Sequence, residues 1–180
     1  MKIIYEYSHL GGAEILQVHY PRIDLEIYEI IQSVEARRLK ESKEKTKMGK
    51  MLYAPKDMNI QFKEGFAGLG YEELKDTYTI EIPNSDVTIT GAFKQIDFVK
   101  ERVLVEVQFG KYAFMFYDMA KFQYFFNENK ADVGVEIVPS HALSREMSSG
   151  VSYGEHLVND IERLKRHFPA VPVKVILIEA

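Results

Sequence analysis

The residue types with the clearest chemical potential lie in two short blocks. Asp97 stands in Ile96-Asp97-Phe98, and Glu106-Val107-Gln108 follows with Glu106 nine residues after Asp97. Both blocks fall in segments rich in β-branched and aromatic residues that read as strands, whose successive side chains point to opposite faces. Glu106 and Gln108 then share a face, and Val107 points the other way into apolar surroundings. A tight hairpin through Lys100 and Glu101 would return the second strand so that Glu106 meets Asp97 at the end of a sheet. Two carboxylates brought together among apolar neighbours repel each other. A hard divalent cation resolves that repulsion, and two carboxylates completed by waters and a substrate phosphate suit Mg²⁺. The spacing alone also admits a plainer reading, in which both acids are polar-face residues of a half-exposed hairpin and bind nothing.

Elsewhere the chain narrows the chemistry by exclusion. It has no cysteine, which removes disulfides, thiolate zinc sites, iron–sulfur clusters and cysteine nucleophiles together and leaves oxygen or imidazole for any metal. The histidines at 9, 19, 141, 156 and 167 are scattered, without the helical pair of a zinc protease, and read as surface or core-edge residues. Ser148, Ser149 and Ser152 lie near Gly150 without a G-x-S-x-G elbow. There is no Walker A loop, and Gly65 to Gly70 does not give G-x-G-x-x-G after a strand. Serine hydrolysis and nucleotide cofactors therefore lack support.

Net charge is −4, unfavourable for DNA on its face, because that affinity is mostly phosphate neutralisation by Lys and Arg. The charge is uneven, however. Arg37, Arg38, Lys40, Lys43, Lys45, Lys47 and Lys50 stand against Glu41 and Glu44, a local +5 that leaves −9 on the remainder. Such a run either meets a polyanion, with Lys43, Lys45 and Lys47 as phosphate contacts, or is a solvated loop or helix face.

These residues need a scaffold, and 180 residues with 46% hydrophobic content suit one domain, 1–180, with a substantial core. A short strand, Lys2 to Tyr7, precedes a break at Gly11-Gly12. Ile23, Ile27, Ile30, Ile31 and Val34 recur at helical spacing, with Asp24 as a candidate cap. Pro55 opens a second helix to about Phe66. Thr77 to Ile82, Val87 to Thr90, Phe93 to Val99 and Arg102 to Phe109 read as successive strands, Tyr112 to Phe126 as a helix buried against them, and Val133 to Val138 as a strand ended by Pro139. An amphipathic helix over Gly150 to Phe168 and a strand over Val173 to Ile178 complete the chain. The order implies an α/β (α+β) domain, a central mixed β-sheet flanked by helices. Neither a secretory leader nor a run of roughly 18 apolar residues is present, so the reading is a soluble cytoplasmic protein with no membrane partner.

Taken together, Ile96-Asp97-Phe98, then Leu104 to Phe109, Tyr112 and Phe114 resemble the catalytic hairpin of type II restriction endonucleases of the BglII, BstYI and BamHI group, in the PD-(D/E)XK nuclease superfamily. Further blocks are similar to the BstYI-like members in the same order: Lys40 to Lys47 with Gly49, Leu52-Tyr53 and Pro55; Phe109 to Tyr112; Asp132 to Ile137; and Glu146 to Gly150 with Ser152-Tyr153. The resemblance runs from near the amino terminus to about Tyr153. The segment between Tyr71 and Lys94 looks shorter than in the BstYI-like enzymes, and the part after Tyr153 fits less well.

This resemblance implies a PD-(D/E)XK restriction-endonuclease-like fold and Mg²⁺-dependent cleavage of double-stranded DNA. Asp97 and Glu106 would ligate the metal, joined by the backbone carbonyl of Val107. Gln108 stands where the superfamily usually has a lysine; it cannot serve as a general base, but its amide can orient the attacking water. The resemblance further implies 5′-phosphate products, a palindromic site with a G-A-T-C core, a two-fold homodimer with one active site per strand, and a separate methyltransferase acting on the same site. Base contacts are expected from Lys111, which can donate to guanine O6 and N7, and from Ser148 and Ser149, unless those serines cap the following helix. Two rival readings stay open: a DNA-binding or defence module of this fold without turnover, and a nuclease of relaxed sequence preference.

Overall fold

Strands that are apolar on both faces need cover on both. The computed structural model, which describes residues 1–180, places three such strands side by side in the middle of a six-stranded sheet. The elements are β1 (Lys2–His9), α1 (Gly12–His19), α2 (Pro21–Ser33), β2 (Arg38–Glu41), β3 (Met51–Tyr53), α3 (Pro55–Gly68), β4 (Glu72–Glu81), β5 (Thr88–Lys100), β6 (Val103–Val107), α4 (Tyr112–Asn127), β7 (Val133–Pro139), α5 (His141–Arg145), α6 (Gly154–Leu164) and β8 (Val173–Glu179). The sheet order is β1-β8-β7-β6-β5-β4, and β2 and β3 pair separately. β8, β7 and β6 run parallel, while β5 returns antiparallel to β6, β4 to β5 and β1 to β8. The expected mixed α/β sheet is therefore present.

Alternation along the strands divides the core in two. Val103 and Val105 of β6, Val133, Val135 and Ile137 of β7, and Ile176 and Ile178 of β8 meet α2 and α3 through Ile27, Ile31, Phe62 and Phe66. Leu104, Val138, Val173, Val175 and Leu177 face the other way, onto Met119, Phe122 and Phe125 of α4 and Leu157 and Ile161 of α6. By the same alternation Glu106 and Glu136 lie on the α4 side and Val107 on the α3 side. No helix is long and apolar enough to cross a membrane.

Several local expectations change. Helix α1 was hidden by the glycine pair at its start, Gly11 at the cap and Gly12 as its first residue. Asp24 is not a cap: Pro21 opens α2, and Asp24 sits a turn inside, buried, accepting a 2.8 Å bond from the ammonium of Lys174. Thr88 to Thr90 and Phe93 to Val99 belong to one strand, β5, because Gly91 at φ +77° turns the chain without ending the ladder, and Val87 lies just before it. The β5–β6 turn uses Glu101 and Arg102, one residue later than expected, with Glu101 at φ +54°. The helix expected from Gly150 to Phe168 spans only Gly154–Leu164, and α5 precedes it.

One contact sets the height of α4 above the sheet. A Cβ built on Gly134 of β7 would lie 2.5 Å from the ring of Phe122, so the absent side chain is what lets α4 approach. Gly134→Ala should therefore destabilise the protein by about 2–3 kcal/mol through overpacking, read from the midpoint of urea unfolding. An unchanged midpoint would show that α4 does not depend on this approach.

Candidate active site

β6 begins Val103-Leu104-Val105, fully buried, and Glu106 is the single charge on the strand, itself only 3% exposed. Its Cα partner on parallel β7 is Glu136, completely buried, whose two carboxyl oxygens make no hydrogen bond. Over this pair passes α4, which brings Asp118 and Lys121, three residues apart and hence on one face. The Lys121 ammonium contacts Glu106 Oε1 at 2.5 Å and Asp118 Oδ1 at 2.8 Å. Gln108 follows directly after β6; its backbone N–H donates to the Ile137 carbonyl at 2.9 Å and its side-chain amide to Asp118 Oδ2 at 3.1 Å.

The electrostatics follow from burial. Loss of solvation, then repulsion by Asp118, pushes the Glu106 carboxyl up to about 8, against the pull of Lys121; Asp97 adds to the rise. Asp118 is also raised by burial, against Lys121 and Gln108. Glu136 is driven well above the carboxylate range, first by burial and then by the charges of Asp118 and Glu106. Burial alone would lower Lys121, but Glu106 and Asp118 outweigh it and hold the ammonium charged.

Asp97 reaches the same neighbourhood from the other side of β6. The β5–β6 ladder ends at the pair Phe98 and Val105, so Asp97 and Glu106 are the first residues beyond it, where the strands are free to part. Asp97 is exposed and lines a cavity of about 370 Å³ with Val107, Phe62, Asn59 and Lys63. The structure places Asp97, Glu106, Val107 and Gln108 at the same end of the β5–β6 pair, and it adds Asp118, Lys121 and Glu136, which sequence reasoning missed. A signal for them existed. Asp118 and Lys121 are the only charges between Tyr112 and Phe126, and Glu136 is the only one between Val133 and Val138.

This donor set fits a hard divalent cation. The cluster holds Asp97, Glu106, Asp118 and Glu136 against Lys121 alone. Glu106 Oε2 makes no hydrogen bond, and it is not among the sealed unpartnered oxygens, which are Tyr71 Oη and the two of Glu136. No three His, Asp or Glu side chains converge as a ready-made cage. The protein would supply two carboxylates and leave positions to a carbonyl, waters and phosphate, as Mg²⁺ accepts.

The expected DNA contacts gather at the edge where parallel β6 and β7 end, the usual place for ligands in such sheets. The β2–β3 hairpin docks on the loop after α5: Arg38 and Lys50 bond Glu146 at 2.9 and 2.7 Å, Lys40 donates to Ser148 Oγ at 2.9 Å, and Ser149 N–H donates to Glu44 at 3.0 Å. Ser152 N–H donates to the Gly110 carbonyl at 2.9 Å, which ties this loop to the turn bearing Lys111. Lys111 is exposed at the amino end of α4. Ser148 and Ser149 are not helix caps, since Tyr153 holds that position in α6. Lys47 differs from the expectation of a free phosphate ligand: its ammonium is half-buried and donates to the Met147 carbonyl at 2.6 Å. Lys43 and Lys45 stay exposed.

Glu136 generates a prediction about pH. Its folded-state affinity for a proton is raised, so the native state retains a proton that the unfolded chain loses above its ordinary value of 4.5, and stability falls as pH rises from there. Glu136→Gln keeps the shape without the ionisation. It should leave stability near pH 4 almost unchanged and gain progressively on wild type as pH rises to 7, measured by urea unfolding across that range. A difference that does not grow with pH would contradict the assignment.

Comparison with known proteins identifies the family. The family model for restriction endonuclease BglII/BglIII matches residues 4–178. Among solved structures, restriction endonuclease BglII complexed with a DNA 16-mer is similar, at 24% identity and TM-score 0.77 over 100% of this chain and 79% of the other. Free BglII is similar at 21% identity and TM-score 0.71, over 100% of this chain and 80% of the other. Comparison with curated protein sequences returns no match. With the family model covering nearly the whole chain and the acidic cluster lying at its strand ends, the chain belongs to the BglII/BglIII restriction endonuclease family and is a type II site-specific deoxyribonuclease.

Proposed function

We propose that the protein cleaves double-stranded DNA with Mg²⁺ held by Asp97, Glu106 and the carbonyl of Val107. One observation carries this reading: Asp97 and Glu106 lie just past the last pair of the β5–β6 ladder, with Glu106 Oε2 unbonded. When bound, Mg²⁺ supplies polarisation of the scissile phosphate, a water of lowered pKa and charge stabilisation of the leaving 3′ oxygen. The chain's own groups do the positioning. Asp118 holds the Gln108 amide by its N–H, which leaves the Gln108 carbonyl oxygen to accept a hydrogen bond from the attacking water and fix its line of approach. Glutamine takes no proton, so the proton leaves through solvent or a neighbouring phosphate. The products carry 5′-phosphates.

The target in this proposal is a palindrome with a G-A-T-C core, cut by a two-fold homodimer and protected in the host by a separate methyltransferase. Lys111, Ser148 and Ser149 read bases, and the bond from the Ser152 N–H to the Gly110 carbonyl, which ties the serine loop to the turn before Lys111, supports that role. Lys43 and Lys45 contact phosphates, and Lys47 shapes the loop on which the serines sit.

Plasmid DNA incubated with the protein and Mg²⁺ should give discrete fragments whose sequenced ends share a G-A-T-C core. A smear would indicate relaxed preference, ends without the core would overturn the specificity, and no cutting would overturn the Mg²⁺ reading. Asp97→Ala and Glu106→Ala should each abolish cleavage yet bind DNA as well or better, because a carboxylate that repels phosphate is gone; near wild-type cutting by either would displace the assigned site. Replacing Lys43 and Lys45 together by Gln should weaken binding across all sequences and reduce the slope of log affinity against log salt by about 2, measured by fluorescence anisotropy. An unchanged slope would return both lysines to solvent.

A further inference from the structure

Lys121 is a cation held between two buried carboxylates. It reaches down from α4 with 13% of its side chain exposed, and its partners are the carboxylates of Glu106 and Asp118, 4% and 3% exposed. Glu136 lies beside them on β7 with no partner. A buried ammonium is tolerated only when paired, and a carboxylate cluster only when its charge is offset. Each therefore requires the other.

The geometry also places this ammonium in conflict with a metal. Lys121 occupies Oε1 of Glu106 and leaves Oε2 free. The two oxygens of one carboxyl are immediate neighbours, so an ammonium on one and a dication on the other would face each other at short range and repel. Relief is at hand on the same helix, because Asp118 lies three residues away and already holds the ammonium at 2.8 Å.

We propose that Lys121 is a positioning residue that acts as the built-in counter-cation of this site: it bridges Glu106 and Asp118 when no metal is bound, and competes with the divalent cation for Glu106. Asp118 is then the place to which the ammonium withdraws when the cation arrives. This rests on the reading that Asp97 and Glu106 hold the metal. It assigns Lys121 an effect on metal affinity that a purely structural ion pair would not have.

The test is the rise in melting temperature that Mn²⁺ alone, without DNA, produces over EDTA, since a ligand that binds only the folded state raises stability with its affinity. Lys121→Met should melt lower than wild type in EDTA, and its Mn²⁺-induced rise should exceed the wild-type rise by about 3–6 °C, the equivalent of roughly tenfold tighter binding. Asp118→Asn should move in the opposite sense, with a smaller rise than wild type, because the ammonium is left with Glu106 alone. Equal rises in wild type and Lys121→Met, a smaller rise in that variant, or no rise in either overturns the proposal. Should Lys121→Met fail to fold, an Asp118→Asn rise equal to or above wild type overturns it independently. Asp97→Asn separates the two levels: loss of the rise keeps the metal at this site, whereas a rise that persists places the metal elsewhere and removes the reading on which the proposal rests.

Discussion

An ionised carboxylate inside a sheet loses most of its hydration, and the structure around Glu106 is organised by how that loss is offset. A single ammonium, from Lys121, answers Glu106 and Asp118 together, while burial and the neighbouring charges raise the proton affinity of Glu136 beside them. The arrangement depends on the height and rotation of α4, which in turn depend on Gly134 and the ring of Phe122. Core packing and site electrostatics are therefore one problem here: the same helix face that buries Phe122 and Met119 carries the only charges allowed on it.

Topology explains why the acids converge. Because β6 has an antiparallel neighbour on one side and a parallel one on the other, its last residues meet Asp97 of β5 and Glu136 of β7 at once. The antiparallel ladder stops one pair short of Asp97 and Glu106, so those two are adjacent without being locked together. The parallel partner is held in register to Val107 and Ile137, which fixes Glu136 against Glu106. One flank is thus open enough for a ligand, and the other is rigid.

The basic run shows how the same composition can serve two ends. Arg38, Lys40, Lys47 and Lys50 are spent on Glu146, Ser148 and the Met147 carbonyl. They build the loop rather than meet a polyanion, and their position leaves Lys43 and Lys45 in solvent. An acidic body with this local surplus is compatible with DNA because affinity follows the cations on the contacting surface more than the net charge of the chain.

Much of this was legible in the sequence by itself. Period-two apolar runs and the aromatic stretch from Tyr112 gave the strands and the helix that carry the site, and the spacing of Asp97 from Glu106 gave the hairpin that joins them. Separate blocks in the right order pointed to the family. What the sequence left undecided was every relation between elements distant in the chain. Asp118, Lys121 and Glu136 each look like a stray charge on an apolar segment, and only the crossing of α4 over β6 and β7 turns them into a cluster. Asp24 looked like a cap until β8 set Lys174 against it, and Lys47 looked free until the loop after α5 supplied its carbonyl. The physical reason is the same in each case: local patterns report which face of an element is buried, but the energy of a buried charge depends on what the fold places opposite it.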